Sequence, residues 1–152
     1  MSSSPGRGRE PREGLLDLVH EIGVVTRPDA SLPPEQRLRR SMQAYFDLVE
    51  RRAAEYRQIY RLEIGADPEL RALVGVSLER QAERLLALLA PDVRAREMVR
   101  FAVHGWFRFL IDACLRWLDT RAVDREALCD MCVDTLFSAV ASATRAGTAE
   151  DY

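Results

Sequence analysis

The 152-residue chain contains no lysine; all 22 of its basic residues are arginine. Coding bias explains this most simply, and it excludes no function. Other shortages say more. Positive charge is not in surplus: the net charge is −2 and the isoelectric point about 5.8, so there is no basic footprint for nucleic acid. No apolar run is long enough to cross a bilayer. The longest charge-free stretch, Thr135 to Thr144, has ten residues, whereas a span needs about 20 apolar ones. The opening "MSSSPGRGREPRE" lacks the apolar centre of a secretory signal. Three cysteines are an odd number and too few for a disulfide framework. A reducing cytoplasm is therefore the expected setting. No segment shows the two-residue alternation of a strand.

What remains is helical periodicity throughout, in a chain that is 47% hydrophobic and 30% charged. One all-α domain of five principal helices is expected over 13–146, with residues 1–12 and 147–152 as disordered tails. "REGLLDLVHEIG" makes a short amphipathic helix with Leu15, Leu16, Val19 and Ile22 on one side. From Pro34, Leu38, Met42, Tyr45, Phe46, Val49, Ala53, Tyr56 and Tyr60 recur at spacings of three and four. Gly65 should end that helix, Asp67 cap the next and Pro68 take its first position, where no amide is needed. Leu70, Leu73, Val74, Leu78, Ala82, Leu85 and Leu89 stripe the third helix, which "APD" breaks. A cap at Asp124 starts the last one.

The fourth helix, ending in "FAVHGWFRFLIDACLRWLDT", is apolar on nearly every side. Its polar residues fall four apart at Arg96, Arg100, His104, Arg108, Asp112 and Arg116. Each four-residue step overshoots a turn by roughly 40°, so this line winds about 200° around the axis. The expectation is a helix that buries one face at its start and nearly the opposite face at its end.

Few residues suggest chemistry. Cys129 and Cys132 form a C-x-x-C motif, but a structural zinc site needs four ligands and both lie in a helical stripe. Core packing suits them better, and no metal or cofactor is expected. His104 is either a satisfied core histidine or a polar anchor in a pocket. Gly105 beside it costs about 1 kcal/mol against alanine in a helix, which points to a close approach by a helix or ligand. Tyr45, Tyr56 and Tyr60 read as core, or as the wall of a mixed apolar and polar cavity that would satisfy their hydroxyls. The charge alternation of "ERQAER" reads as a solvated face. No acid–base pair, activated nucleophile or phosphate loop is visible, so no enzyme is expected.

The order of these pieces resembles a known family. "PPEQRLRRSMQAYFDLVERRAAEYRQIYRLEIGADPELRALV" is similar to the start of the effector-binding domain of TetR-family transcription regulators, with its P-x-x-R-L opening, tyrosine-bearing helix and D-P-E-L cap. "VRFAVHGWFRFLIDACLRWLDT" followed by "DREALCDMCVDTLFSAV" resembles that family's last two helices, which pair with their copies in a second subunit as a four-helix bundle. The resemblance implies a homodimeric transcription-regulation domain with an apolar small-molecule effector. Tyr45, Val49, Tyr56, Tyr60, Phe101, His104 and Trp106 are the expected cavity. Leu110, Cys114, Trp117, Leu128, Met131, Cys132, Leu136 and Val140 are the expected dimer interface. The family's three-helix DNA-reading unit has no counterpart here; "PREGLLDLVHEIG" resembles the helix that follows it. DNA binding is thus expected only with that unit restored. A partner protein that heterodimerises with an intact regulator is the alternative, and a helical-bundle enzyme the more distant one.

Overall fold

The computed structural model describes residues 11–27, 29–62, 67–90 and 92–149. Six α-helices follow in order: α1 (Pro11–Val25), α2 (Pro34–Arg51), α3 (Ala53–Arg57), α4 (Pro68–Leu89), α5 (Arg96–Thr120) and α6 (Arg125–Ala149). A π-helical turn, Gln58–Leu62, extends α3, and a 3-10 turn, Val93–Ala95, precedes α5. There is no strand among the described residues. The all-α class is as the sequence implies. Helix begins at Pro11 and runs to Ala149, slightly beyond the expected domain limits. Residues 1–10 and 150–152, and the expected stop at Gly65, lie outside the described residues.

The helix starts follow from local chemistry. Pro34 and Pro68 occupy first-turn positions, where a missing amide costs nothing. The Asp67 carboxylate accepts from the Leu70 amide at 3.1 Å, and Asp124 accepts from Ala127 at 3.2 Å. Each thus satisfies one of the orphan donors of a first turn. α5 ends at Arg121, whose φ of 48° is left-handed. A non-glycine residue there is strained. Its guanidinium lies 4.1 Å above the Trp117 ring and bonds Glu50 at 2.7 Å, contacts that hold the turn.

The second helix is not continuous, as its periodicity implied. Arg52 leaves helical geometry at φ −120°, ψ 42°. Its side chain bonds Glu55, Glu21 (2.7 Å) and the Gly14 carbonyl (2.8 Å), tying the break to α1. The break has a packing consequence. In a straight helix Tyr45 and Tyr56 would stand about 16 Å apart along the axis; here their hydroxyls meet at 2.6 Å. Spacing alone does not reveal such a bend, since both halves keep the same period.

α5 is the central element. It packs against α6 along its length and against α4 on another side, while α2 lies on α6 and α1 on α4. Its buried residues run from Val99 and Val103 through Trp106, Phe107 and Leu110 to Trp117 and Leu118. At 100° per residue the buried positions, Ile111 and Leu115 included, cover about half of the circumference, and Trp117 near the end faces the same way as Val99 near the start, so the expected switch from one face to its opposite does not occur within the chain. The polar line winds across the outer side instead. Arginines latch the elements: Arg39 of α2 pairs with Asp130 (2.7 Å) and Asp134 (3.0 Å) of α6, and Arg125 with Asp47. By length and composition α6 is apolar enough to cross a membrane. Asp130 and Asp134 interrupt it, and its apolar side, including Leu136 and Cys132, is buried in the helical core.

Candidate functional site

A cluster of tyrosines occupies the centre of the domain. Tyr45 and Tyr56 are buried and satisfy each other's hydroxyls at 2.6 Å. The Tyr60 ring lies 4.8 Å from that of Tyr56. Burial pushes the phenols of Tyr45 and Tyr56 well up and that of Tyr60 to about 12. They therefore stay neutral at neutral pH and act as hydrogen-bonding groups on an apolar wall, not as bases.

Beside this cluster α1, α2, α4 and α5 leave a cavity of about 50 Å³. α5 supplies Trp106, Phe107, Leu110 and Ile111; α2 supplies Leu38, Met42 and Tyr45. α4 closes the other side with Leu78, Leu85 and Leu88. The polar lining is Thr26, Arg37, Ser41, Gln81 and Arg84, with Tyr60 of the π turn. The Trp106 indole donates to the Cys132 carbonyl at 2.9 Å, which fixes that wall to α6. A drug-sized ligand needs roughly 300 Å³ or more, so the cavity must widen to admit one.

Of the expected cavity residues, Tyr45, Tyr60 and Trp106 line this space. Tyr56 stands one layer behind, bonded to Tyr45, and Val49 is core. His104 is partly buried at the α4–α5 edge, outside the cavity lining, with its Nε2 3.6 Å from Glu79, and Phe101 is 76% exposed. The last two are corrections to the expected cavity. Phe101 points well away from the buried side of α5, by roughly 130–150° in helical geometry, while His104 sits at its rim, where Glu79 of α4 meets it. Gly105 meets no close approach either. A Cβ there would find no atom within 4 Å.

The expected dimer residues also take other places. Leu110, Cys114, Trp117, Leu128, Cys132, Leu136 and Val140 are buried within one subunit, where α5, α6 and α2 meet. Met131 differs, being 46% exposed. The apolar surface left outside on α5, α6 and the turn between them includes Phe101, Phe109, Val123 and Met131. Phe101, Gly105, Phe109, Ala113 and Trp117 form a four-residue series parallel to the polar line. It starts outside and winds into the core at Trp117.

Burial raises the thiols of all three cysteines, Cys129 to about 11 and Cys132 to about 12. They are free and buried, and no group of three or more His, Cys, Asp or Glu among the described residues could hold a metal ion.

Sequence reasoning missed the polar lining. "ERQAER" is not wholly a solvated face, since Gln81 and Arg84 within it are half-buried at the cavity. A signal was present: neither Arg37 nor Arg84 has an acidic residue three or four positions away on its helix. Neither can form the usual intrahelical pair.

A family model described as Tetracyclin repressor-like, C-terminal domain matches residues 34–139. That span holds all of the cavity's lining except Ile22 and Thr26. No solved structure matches the chain.

Proposed function

The chain belongs to the tetracycline-repressor-like C-terminal domain family, and from that premise we propose that it is the sensing and dimerising part of a transcription regulator. Domains of this family generally dimerise and bind small-molecule effectors, and they are regulators, not enzymes. The sensing site is the cavity between α2, α4 and α5. The observation that carries this is its lining: an apolar interior with a few convergent polar groups, which is how ligand sites are built. Because the free cavity is only about 50 Å³, a bound effector displaces a wall. α5 is fixed to α6, so α4 is the wall that moves. A ligand that binds the widened form better shifts the population toward it.

The dimer forms through the outer side of α5 and α6, around Phe101, Phe109 and Met131. Gly105 and the small residues Ala127, Ser138 and Ser142 on the same two helices let another helix pair approach closely.

The test is a thermal-shift screen of small apolar and amphiphilic compounds on the purified protein. Binding to the native state raises its apparent stability, by about 2.7 kcal/mol at a hundredfold excess over Kd. A ligand found in this way should lose its effect on Leu85→Trp, whose indole would fill the cavity. Stabilisation unchanged in that variant, or no stabilising compound in a diverse set, contradicts the reading.

A further inference from the structure

The cavity's charged lining is of one sign. Arg37 and Arg84 contribute to it, and among the described residues none of its lining is acidic. Elsewhere arginines are met by carboxylates: Arg39 by Asp130 and Asp134, Arg52 by Glu21 and Glu55. Arg84 and Arg37 are met by backbone. Arg84 donates to the Gly23 carbonyl at 3.1 Å. Arg37 donates through Nε to the Leu32 carbonyl and through Nη2 to that of Ala30 at 2.7 Å. Carbonyl dipoles orient a guanidinium but leave its charge uncompensated. Asp29 senses Arg37, but it accepts bonds from Ser31 and lies 3.6 Å from Arg40.

The surroundings of Arg84 add to the imbalance. Partial withdrawal from water, then the like charges of Arg27 and Arg80, hold its guanidinium below the usual range. It remains a cation at any ordinary pH. The polar and apolar linings also separate by element. Thr26, Arg37 and Ser41 come from the end of α1 and the start of α2, with Gln81 and Arg84 facing from α4. The α5 wall is Trp106, Phe107, Leu110 and Ile111. A neutral ligand would cover the guanidinium groups without compensating them, and a cationic one would be repelled.

We propose that this site takes an amphiphilic anion, its acidic head held by Arg84 and Arg37 and its apolar body against α5. The proposal rests on the sensing function assigned above and names the class of effector. A carboxylate or phosphate monoester matches the planar, paired donors of a guanidinium, and an alkyl chain suits walls of leucine, methionine and phenylalanine.

The experiment is isothermal titration of the purified protein with octanoate, octyl phosphate, 1-octanol and octylammonium, each below its aggregation concentration. At least one anion should bind ten times or more tighter than the alcohol, with no binding of octylammonium. Which anion binds better decides between the two head groups. From hexanoate to decanoate, or along the phosphate series, affinity should rise about fourfold per methylene, from burial of about 0.8 kcal/mol each. Arg84→Gln should remove an anion-over-octanol preference of roughly tenfold or more, and Arg84→Lys should retain part of it. Arg37→Gln serves as a second variant should Arg84→Gln unfold. Equal binding of octanol and both anions, insensitive to Arg84→Gln and Arg37→Gln, overturns the proposal and leaves the sensing function standing. No binding by any of the four probes overturns it also; the sensing function falls with it only when the wider compound screen is empty too.

Discussion

The two sides of α5 differ in how they are closed. Toward α6 the seam is continuous: α6 buries seven of its 25 residues, the Trp106 indole donates to the Cys132 carbonyl, and Arg39 and Arg125 latch α6 to α2. Toward α4 it is thin, because α4 buries only Leu70, Val74, Ala82 and Leu86 of its 22 residues. The Arg100–Glu83 pair and the longer contact of His104 with Glu79 lie at its outer edge, with the glutamates more than half exposed and Arg100 and His104 partly buried. Solvent-screened pairs of this kind add little to stability. α4 also leaves Leu73 and Val76 nearly half in water. Local opening is easiest where few apolar contacts are lost. One side of the helix therefore holds the fold together, and the other is the easier to open.

The largest expected effect separates the two sides directly. Leu136→Asp places an unpaired carboxylate in the seam at a residue 1% exposed, which should cost about 4 kcal/mol or more and abolish the cooperative thermal transition. Leu73→Asp on α4 should stay within about 0.5 kcal/mol of the parent. Equal losses in circular-dichroism melts would remove the distinction. Next in size, Met131→Arg on the outer side should convert dimer to monomer by sedimentation velocity, with the melting of the subunit itself little changed. A monomeric parent protein would contradict the proposed interface.

A pH series sharpens the same contrast. The Cys132 thiol is raised from 9.0 to about 12 by burial and then by Cys129, so between those values the folded state holds a proton that the unfolded state has lost. Stability therefore falls as pH rises above about 9 and is unaffected by this group below it. Denaturant melts of Cys132→Ala should show a shallower decline from pH 9 to 11 than the parent; identical slopes would show that the seam does not keep the thiol protonated. The smallest effect is that of Gly105→Ala. With open space at its Cβ, alanine should stabilise the separate subunit by about 1 kcal/mol, while weakening the dimer if the partner helix crosses there.

Much of the fold was legible because it is written in short-range terms. Proline at first-turn positions, the aspartate caps and three-and-four apolar spacing depend on neighbours a few residues away, and α1, α4, α5 and α6 follow from them. The break at Arg52 depends on Glu21 and Gly14, over 30 residues distant, and periodicity carries no trace of them. The cavity was legible in its tyrosines and Trp106, whose polar tips demand partners. Phe101 and His104 were misplaced because composition does not tell which apolar face of α5 turns inward. The dimer residues were read from the same ambiguity: a helix pair with two apolar sides must use one within the chain, and that side proved to hold Leu136 and Cys132. Arg84 was hidden by its acidic neighbours in sequence, Glu79 and Glu83, neither of which pairs with it.

In the sensing function proposed above, α4 is the movable wall and the α5–α6 seam the fixed one. Hydrogen exchange of the ligand-free protein tests it without any assumption about the effector. Amides of α4 from Leu78 to Leu88 should exchange at least tenfold faster than those of Phe107 to Leu118 and Cys132 to Val140, through an opening smaller than global unfolding. Coincident exchange of all three segments, at the rate set by global unfolding, would contradict a movable α4.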